Sequence, residues 1–393
     1  MAEFPDMTGR TLLQVIPELD AGGAERTVLE MVEAVATAGG HALVVSEGGR
    51  MVADLEALGG RFIPMRAKSK NPLTIRKNAA ELAKLITAEN IDLIHARSRA
   101  PAWSAYWAAQ RTGIPFVTTY HGAYSARTSA KRLYNSVMAR GQRVIANSEW
   151  TAAQVMKEHD ISPPQLVTIP RGVDLLAFDP ERIGADRIQA LRQSWQLPDD
   201  RAIVLLPGRL TSWKGQLLAL DALADLTNAE RDRLFLVIAG DAQGRTEYVQ
   251  SLQDKITDLG LSGVAALVPH CRDMPAAYLA AGMVLSASTR PEAFGRVAAE
   301  ASAMGCFVIA SDHGGARETI IDGDTGIRFH PGDAKALAGA FRTALSLPEE
   351  SRIAMGEAGR AFISANYSKH QLQAKTLGVY ADVLTGIGAP SDG

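Results

Sequence analysis

Two successive series of short Val-, Ile- and Leu-rich runs, each alternating with longer helical patterns, leave few folds open to this chain. In the first series the runs are 11–17 (TLLQVIP), 42–46 (ALVVS), 91–95 (IDLIH), 115–120 (PFVTTY) and 143–147 (RVIAN). They are apolar almost throughout instead of alternating with polar residues. A strand with both faces buried reads this way, and parallel sheets covered by helices on both sides bury both faces. Helical patterns are expected between them, over 24–38, 73–89, 101–111 and 128–139. The rhythm restarts with runs at 201–207, 234–239, 264–268, 283–287 and 306–310, and with helices expected at 215–226, 245–259, 275–281, 295–304 and 334–344. The expected fold is therefore α/β, with two doubly wound parallel-sheet domains. A length of 393 residues suits two cores better than one. The polar stretch 175–200, with Pro180 and Pro198, reads as the linker, carrying a short helix at 185–195. Ligands of such sheets lie at the carboxyl ends of the strands, so a cleft between the two domains is the expected site.

Several function classes are excluded by what is missing. Cys271 and Cys306 are the two cysteines, too few for a disulfide framework. Met1 to Arg10 lacks an apolar signal core, and no run approaches the ~18 apolar residues of a membrane span. A cytoplasmic setting is expected. The net charge of −2 conceals an asymmetry, since residues 60–144 hold fifteen Lys and Arg against three acidic residues. Trp103, Tyr106, Trp107, Tyr120, Tyr124 and Tyr134 are interleaved with them. Arg97, Arg99, Tyr124, Lys131 and Arg132 are thus candidates for contact with an anionic acceptor or membrane leaflet. The bland reading is a solvated charged face over core aromatics. A pI near 6.5 argues against nucleic acid.

Chemistry-bearing motifs recur where strands end. Gly22-Gly23 follows the first strand and opens a helix, which makes either an anion site or a tight turn. It is not GxGxxG, so a dinucleotide dehydrogenase is disfavoured. Gly208-Arg209 and Lys214-Gly215 follow the first strand of the second series. Arg209 and Lys214 can reach one diphosphate from there, or can be two solvated cations. The most specific element is Glu292-Ala293-Phe294-Gly295-Arg296, with Glu300 further along. A loop carboxylate and one a turn or two into a helix can accept hydroxyl hydrogen bonds from two ends of an elongated ligand. Alternatively Glu292 is a helix-start charge and Glu300 a buried structural acid. Asp312-His313-Gly314-Gly315 repeats the glycine pair on the same rim. Asp322 and Asp324 have D-x-D spacing, but the glycines around them favour a turn. His121, with Gly122 behind it, is the histidine placed for chemistry, although a lone histidine is more often structural. The histidines assemble no metal site.

Taken together, Gly22-Gly23, His121-Gly122, the run Ile169-Pro170-Arg171-Gly172-Val173-Asp174, Gly208-Arg209 with Lys214-Gly215, the Glu292 and Glu300 pair, and Gly314-Gly315 with Glu318 resemble glycosyltransferase family 4 over nearly the whole chain. Arg171 stands where that family usually has Asn, and Pro291 is a second departure. The resemblance implies a retaining GT-B enzyme, with two Rossmann-like domains facing each other across a cleft. It implies that Arg209 and Lys214 hold a UDP- or GDP-sugar diphosphate, with backbone N–H groups near Gly23 and Phe294 to Arg296 adding to the cradle. Glu292 would bind the transferred sugar and Glu300 the ribose. His121 would sit near the sugar C6 hydroxyl, and the base near His270 and Arg272. No metal or other cofactor is implied, because positive side chains and helix N-termini replace Mg²⁺. The final helix, within 368–393, would return to the first domain, giving domains at 1–180 plus 368–393 and at 181–367.

The leading expectation is transfer of a hexose-type sugar to a glycan or lipid-linked acceptor in cell-envelope polysaccharide or lipopolysaccharide synthesis. That places the chain peripherally at the inner face of the membrane. A same-fold sugar-nucleotide epimerase and a non-catalytic nucleotide-sugar-binding subunit are the alternatives.

Overall fold

A computed structural model describes residues 3–20, 22–122, 124 and 128–386. The chain forms two compact units, one of residues 1–172 with 369–393 and the other of 173–368. The first unit holds β1 (Thr11–Val15), β2 (His41–Ser46), β3 (Gly60–Pro64), β4 (Leu93–Ala96), β5 (Phe116–Tyr120), β6 (Arg143–Ala146) and β7 (Leu166–Thr168). They pair in the order β3-β2-β1-β4-β5-β6-β7, with every pairing parallel. The second unit holds β8 (Ala202–Pro207), β9 (Leu234–Ala239), β10 (Ala265–Val268), β11 (Gly282–Ser286), β12 (Phe307–Ser311) and β13 (Ile327–Phe329). Their order is β10-β9-β8-β11-β12-β13, again all parallel.

Both sheets are doubly wound. The strand order reverses between β1 and β4 in the first sheet and between β8 and β11 in the second. Loops that leave neighbouring strands on either side of such a point diverge and open a crevice at the carboxyl edge. The helices that cover the faces form for local reasons. In Gly23–Thr37, Val28, Met31, Val32 and Val35 repeat at helical spacing and are all buried. Pro72–Ala88 begins with Asn71, whose side chain accepts from the Leu73 amide at 2.9 Å, and with a proline at its first position.

The linker expectation is corrected. Residues 175–200 belong to the second unit, where the helix Ala185–Ser194 packs on the helix Met274–Ala281. Arg187 bonds Asp273 at 2.8 Å, and Arg192 donates to the Ala280 carbonyl at 2.8 Å. The helix Lys369–Leu384 belongs to the first unit. It seals that core with Leu377 and Tyr380, and Gln373 donates to the Glu30 carbonyl at 2.8 Å.

Candidate active site

In the second unit, the loops after β8 and β11 flank the strand-order reversal. The loop after β8 makes one turn of 3-10 helix at Ser212–Lys214 and then passes through Gly215 at φ 81°. A Cβ at Gly215 would overlap the Ala287 carbonyl at the end of β11, so only glycine lets the two loops approach this closely. The Thr289 amide closes the gap by donating to the Trp213 carbonyl at 2.8 Å. Across this seam the Lys214 ammonium donates to Glu292 Oε1 at 2.8 Å, with both side chains largely buried at 12% and 17% exposure. The ammonium also lies 4.7 Å from the centre of the Trp213 ring.

The Glu292 carboxylate is held through one oxygen, and neighbouring bonds fix the loop that carries it. The Ser288 hydroxyl donates to the same oxygen as Lys214. His313, in the loop after β12, donates from Nε2 to the Ser288 carbonyl at 2.8 Å. The Gly315 amide donates to the Glu292 carbonyl at 2.8 Å, and a Cβ at Gly315 would collide with the Phe294 backbone. Burial opposes the charged carboxylate, but Lys214 and Ser288 outweigh it and hold its pKa below the ordinary value. Ser288 belongs to no sequence motif, and His313 stands out in the sequence only within the glycine motif at 312–315. Beyond that, their signal was position, at the ends of β11 and β12.

The helix Arg296–Ala303 starts at Gly295 with Phe294 buried just before it. Glu300 lies inside this helix at 12% side-chain exposure. Arg296 grips its Oε1 with Nε at 3.0 Å and Nη2 at 2.8 Å, and the Tyr278 hydroxyl donates to Oε2 at 3.2 Å. Arg209 is exposed beside Gly208, and His270 and Arg272 are exposed after β10. The structure therefore pairs Lys214 with Glu292, with Ala293 and Phe294 following that carboxylate in the chain, clamps Glu300 and Arg296 to each other, and leaves Arg209, His270 and Arg272 facing solvent. Asp322 and Asp324 form a turn closed by the Gly323 amide on the Gly326 carbonyl at 2.8 Å. Among the described residues, no three His, Cys, Asp or Glu converge as a metal-binding group.

In the first unit, Gly22 and Gly23 lie at the start of the helix Gly23–Thr37. The space over Gly23 is filled by the Arg171 guanidinium. Arg171 Nη2 lies 3.1 Å from His121 Nδ1. Burial, Arg171 and Arg97 push the His121 pKa well below its ordinary value.

The surface role expected of Arg97 is corrected, because it is 2% exposed. Its Nε donates to Gln14 Oε1 at 2.8 Å, and Nη2 to the Tyr380 hydroxyl at 3.4 Å. Beside it His95 bonds Tyr380 and Thr119, both at 2.7 Å. Arg99 is half-buried, bonded to Asn135 at 2.9 Å and stacked 4.0 Å from the centre of the Tyr124 ring. Lys131 and Arg132 are exposed on the helix Ser129–Ser136. Tyr120 is buried, while Trp107 at 37% and Leu133 at 61% are exposed. No helix among the described residues is long and apolar enough to cross a membrane.

Comparison with known proteins agrees with this fold. A family model described as Glycosyltransferase Family 4 matches residues 21–175, and one described as Glycosyl transferases group 1 matches 187–362. A glycosyltransferase crystal structure from Rickettsia africae is 34% identical, with 95% of this chain and 98% of that one covered and a TM-score of 0.89. Anabaena HepE in complex with UDP and glucose is 25% identical, over 94% of this chain and 99% of that one, with a TM-score of 0.81. A D-inositol 3-phosphate glycosyltransferase of Nocardioides is 28% identical over 74% of this chain and 67% of its own length. Two further enzymes of that name, from Corynebacterium aurimucosum and Thermobifida fusca, are covered over 65% and 64% of their lengths.

Proposed function

This chain belongs to the glycosyltransferases of GT-B fold, with a family 4 model matching its first half and a group 1 model its second, and on that premise we propose that it moves a hexose-type sugar from a nucleoside-diphosphate donor to a glycan or lipid-linked acceptor, with retention at the anomeric carbon. The observation that carries the reading is the Lys214–Glu292 pair at the carboxyl edge between β8 and β11. A largely buried ammonium beside a largely buried carboxylate supplies one group for a phosphate and one for a sugar hydroxyl. Arg209, exposed at the same strand end, adds a guanidinium fork for the diphosphate. HepE, a protein similar to this one, binds UDP and glucose, which favours a uridine donor.

In the proposed reaction the bond between the anomeric carbon and the β-phosphate oxygen breaks while the acceptor oxygen bonds that carbon from the same face. The acceptor proton passes to the departing phosphate. Negative charge grows on the diphosphate; Lys214, held by its pair with Glu292, meets that charge with little reorganisation, and Arg209 adds its charge from the exposed strand end. Glu300 takes the ribose and Glu292 the sugar, and His270 and Arg272 flank the base. With cations supplied by side chains, the chemistry needs no metal. The acceptor is assigned to cell-envelope polysaccharide or lipopolysaccharide synthesis at the cytoplasmic face of the membrane. Exposed Lys131, Arg132, Arg140 and Leu133 support contact with an anionic leaflet.

A thermal-shift panel of nucleotide sugars tests the reading. A ligand at a hundred times its Kd stabilises by about 2.7 kcal/mol. That corresponds to a rise of roughly 5–10 °C for a domain of this size. UDP and UDP-hexoses are expected to give such a rise, and activity is expected to survive EDTA. No response to any nucleoside diphosphate refutes the donor, and activity lost to EDTA and restored by Mg²⁺ or Mn²⁺ refutes the metal-free chemistry. Changing Lys131, Arg132 and Arg140 to Gln is expected to weaken binding to anionic vesicles, read by sedimentation, by roughly a hundredfold, at about 1 kcal/mol per charge. Equal sedimentation removes the leaflet from the proposal.

A further inference from the structure

His121 and Arg171 are fifty residues apart, yet Nδ1 and Nη2 meet at 3.1 Å. A guanidinium has donors and no acceptor. The contact therefore settles the direction of this hydrogen bond, with Nη2 donating and Nδ1 accepting. A neutral imidazole whose Nδ1 accepts carries its proton on Nε2. In this protein His121 Nε2 is buried and has no hydrogen-bond partner among the described residues. A buried donor left unmatched costs about 1–3 kcal/mol, so such a group marks a place where a ligand supplies the acceptor.

The surroundings keep the ring from escaping this state. Arg171 cannot easily swing away, because its guanidinium is lodged over Gly23 at the start of a helix. The charged and titratable groups facing the ring are Arg171, Arg97 and His95, with the Tyr124 hydroxyl at its backbone. Two of these are guanidinium groups, and a positive charge on the imidazole is disfavoured beside them. An Asn at position 171 would instead carry both a donor and an acceptor and no charge. It would leave both neutral tautomers open.

We propose that Arg171 is a positioning residue that holds His121 as the neutral Nε2–H tautomer, and so makes the ring a fixed hydrogen-bond donor to a ligand oxygen bound at this unit. The nature of the ligand rests on the function proposed above, whereas the tautomer is a property of the free protein. The two parts can fail separately.

Long-range 1H–15N correlation spectra of the histidine rings, with His121 assigned by its loss in His121→Gln, test the proposal without any ligand. The expected pattern for His121 is a single neutral Nε2–H form between pH 6 and 8. Arg171→Lys keeps a donor-only cation and is expected to keep that pattern. Arg171→Met removes donor and charge and is expected to show mixed tautomers, with turnover falling by about a hundredfold, in the range of a lost preorganised donor. Arg171→Lys should recover most of that loss. A His121 ring with its proton on Nδ1, or an imidazolium at pH 7, overturns the proposal, as does an unchanged pattern in Arg171→Met. A preserved Nε2–H pattern in a protein that binds no nucleotide sugar would sink the donor reading and leave the tautomer assignment standing.

Discussion

Lys214→Ala is expected to cut turnover by about a hundred- to a thousandfold, the usual cost of losing one preorganised group that meets developing charge. It is also expected to lower the melting temperature, for a reason unrelated to catalysis. Lys214 is the cation paired with Glu292, and both are largely buried. Removing one partner of a buried pair strands the other charge and costs about 3–5 kcal/mol at full burial. Here the cost should fall below that range, since both side chains keep some exposure. Changing Glu292 to Gln in the same chain, with Met at 214, removes the stranded charge. The melting temperature should then return most of the way while activity stays low. Arg209→Ala is the contrast, since Arg209 is exposed and should cost turnover with no change in melting. Initial rates and calorimetry on the four proteins check this. Near-normal rates in both single variants would remove the diphosphate from this edge of the sheet.

Gly215→Ala should act through the backbone. The residue sits at φ 81°, and a Cβ there overlaps the Ala287 carbonyl. Strain of this kind costs about 1–3 kcal/mol, and the steric overlap adds to it. A loss of about 3 kcal/mol lowers melting by roughly 6–12 °C in a domain of this size. Relief of the overlap must part the loop after β8 from the loop after β11, and Lys214 is the residue just before the glycine. The variant should therefore lose nucleotide binding even at temperatures where it stays folded. Isothermal titration below the transition checks this, and unchanged affinity would show that the close approach of the two loops does not position the ammonium.

The parts of the fold that were legible in the sequence share one physical property, burial on both faces. β1, β8 and β9 read as apolar runs, interrupted in β1 by Gln14, because helices cover both sides of the sheet. β3, β7 and β13 did not, since each lies at or beside a sheet edge, is three to five residues long and is only partly buried. The helix Ala185–Ser194 buries none of its residues fully, so its polar composition looked like a linker. The candidate site was legible as positions, because glycines, cations and acids fall where strands end. Its pairings were not. Ser288 and His313 are ordinary residues until the ends of β11 and β12 are side by side. Arg97 shows the limit of counting charge, since a charge tally carries no information about burial.

The first unit is discontinuous in the chain, and this has a consequence for synthesis on the ribosome. Its core includes Leu372, Leu377 and Tyr380, so that core lacks a wall until those residues leave the exit tunnel. The second unit is one unbroken segment, 173–368, and holds everything it needs earlier. Vectorial synthesis ordinarily lets the leading domain mature first. Here the first sheet waits for the helix Lys369–Leu384, so the first unit is completed only after the second has been synthesised.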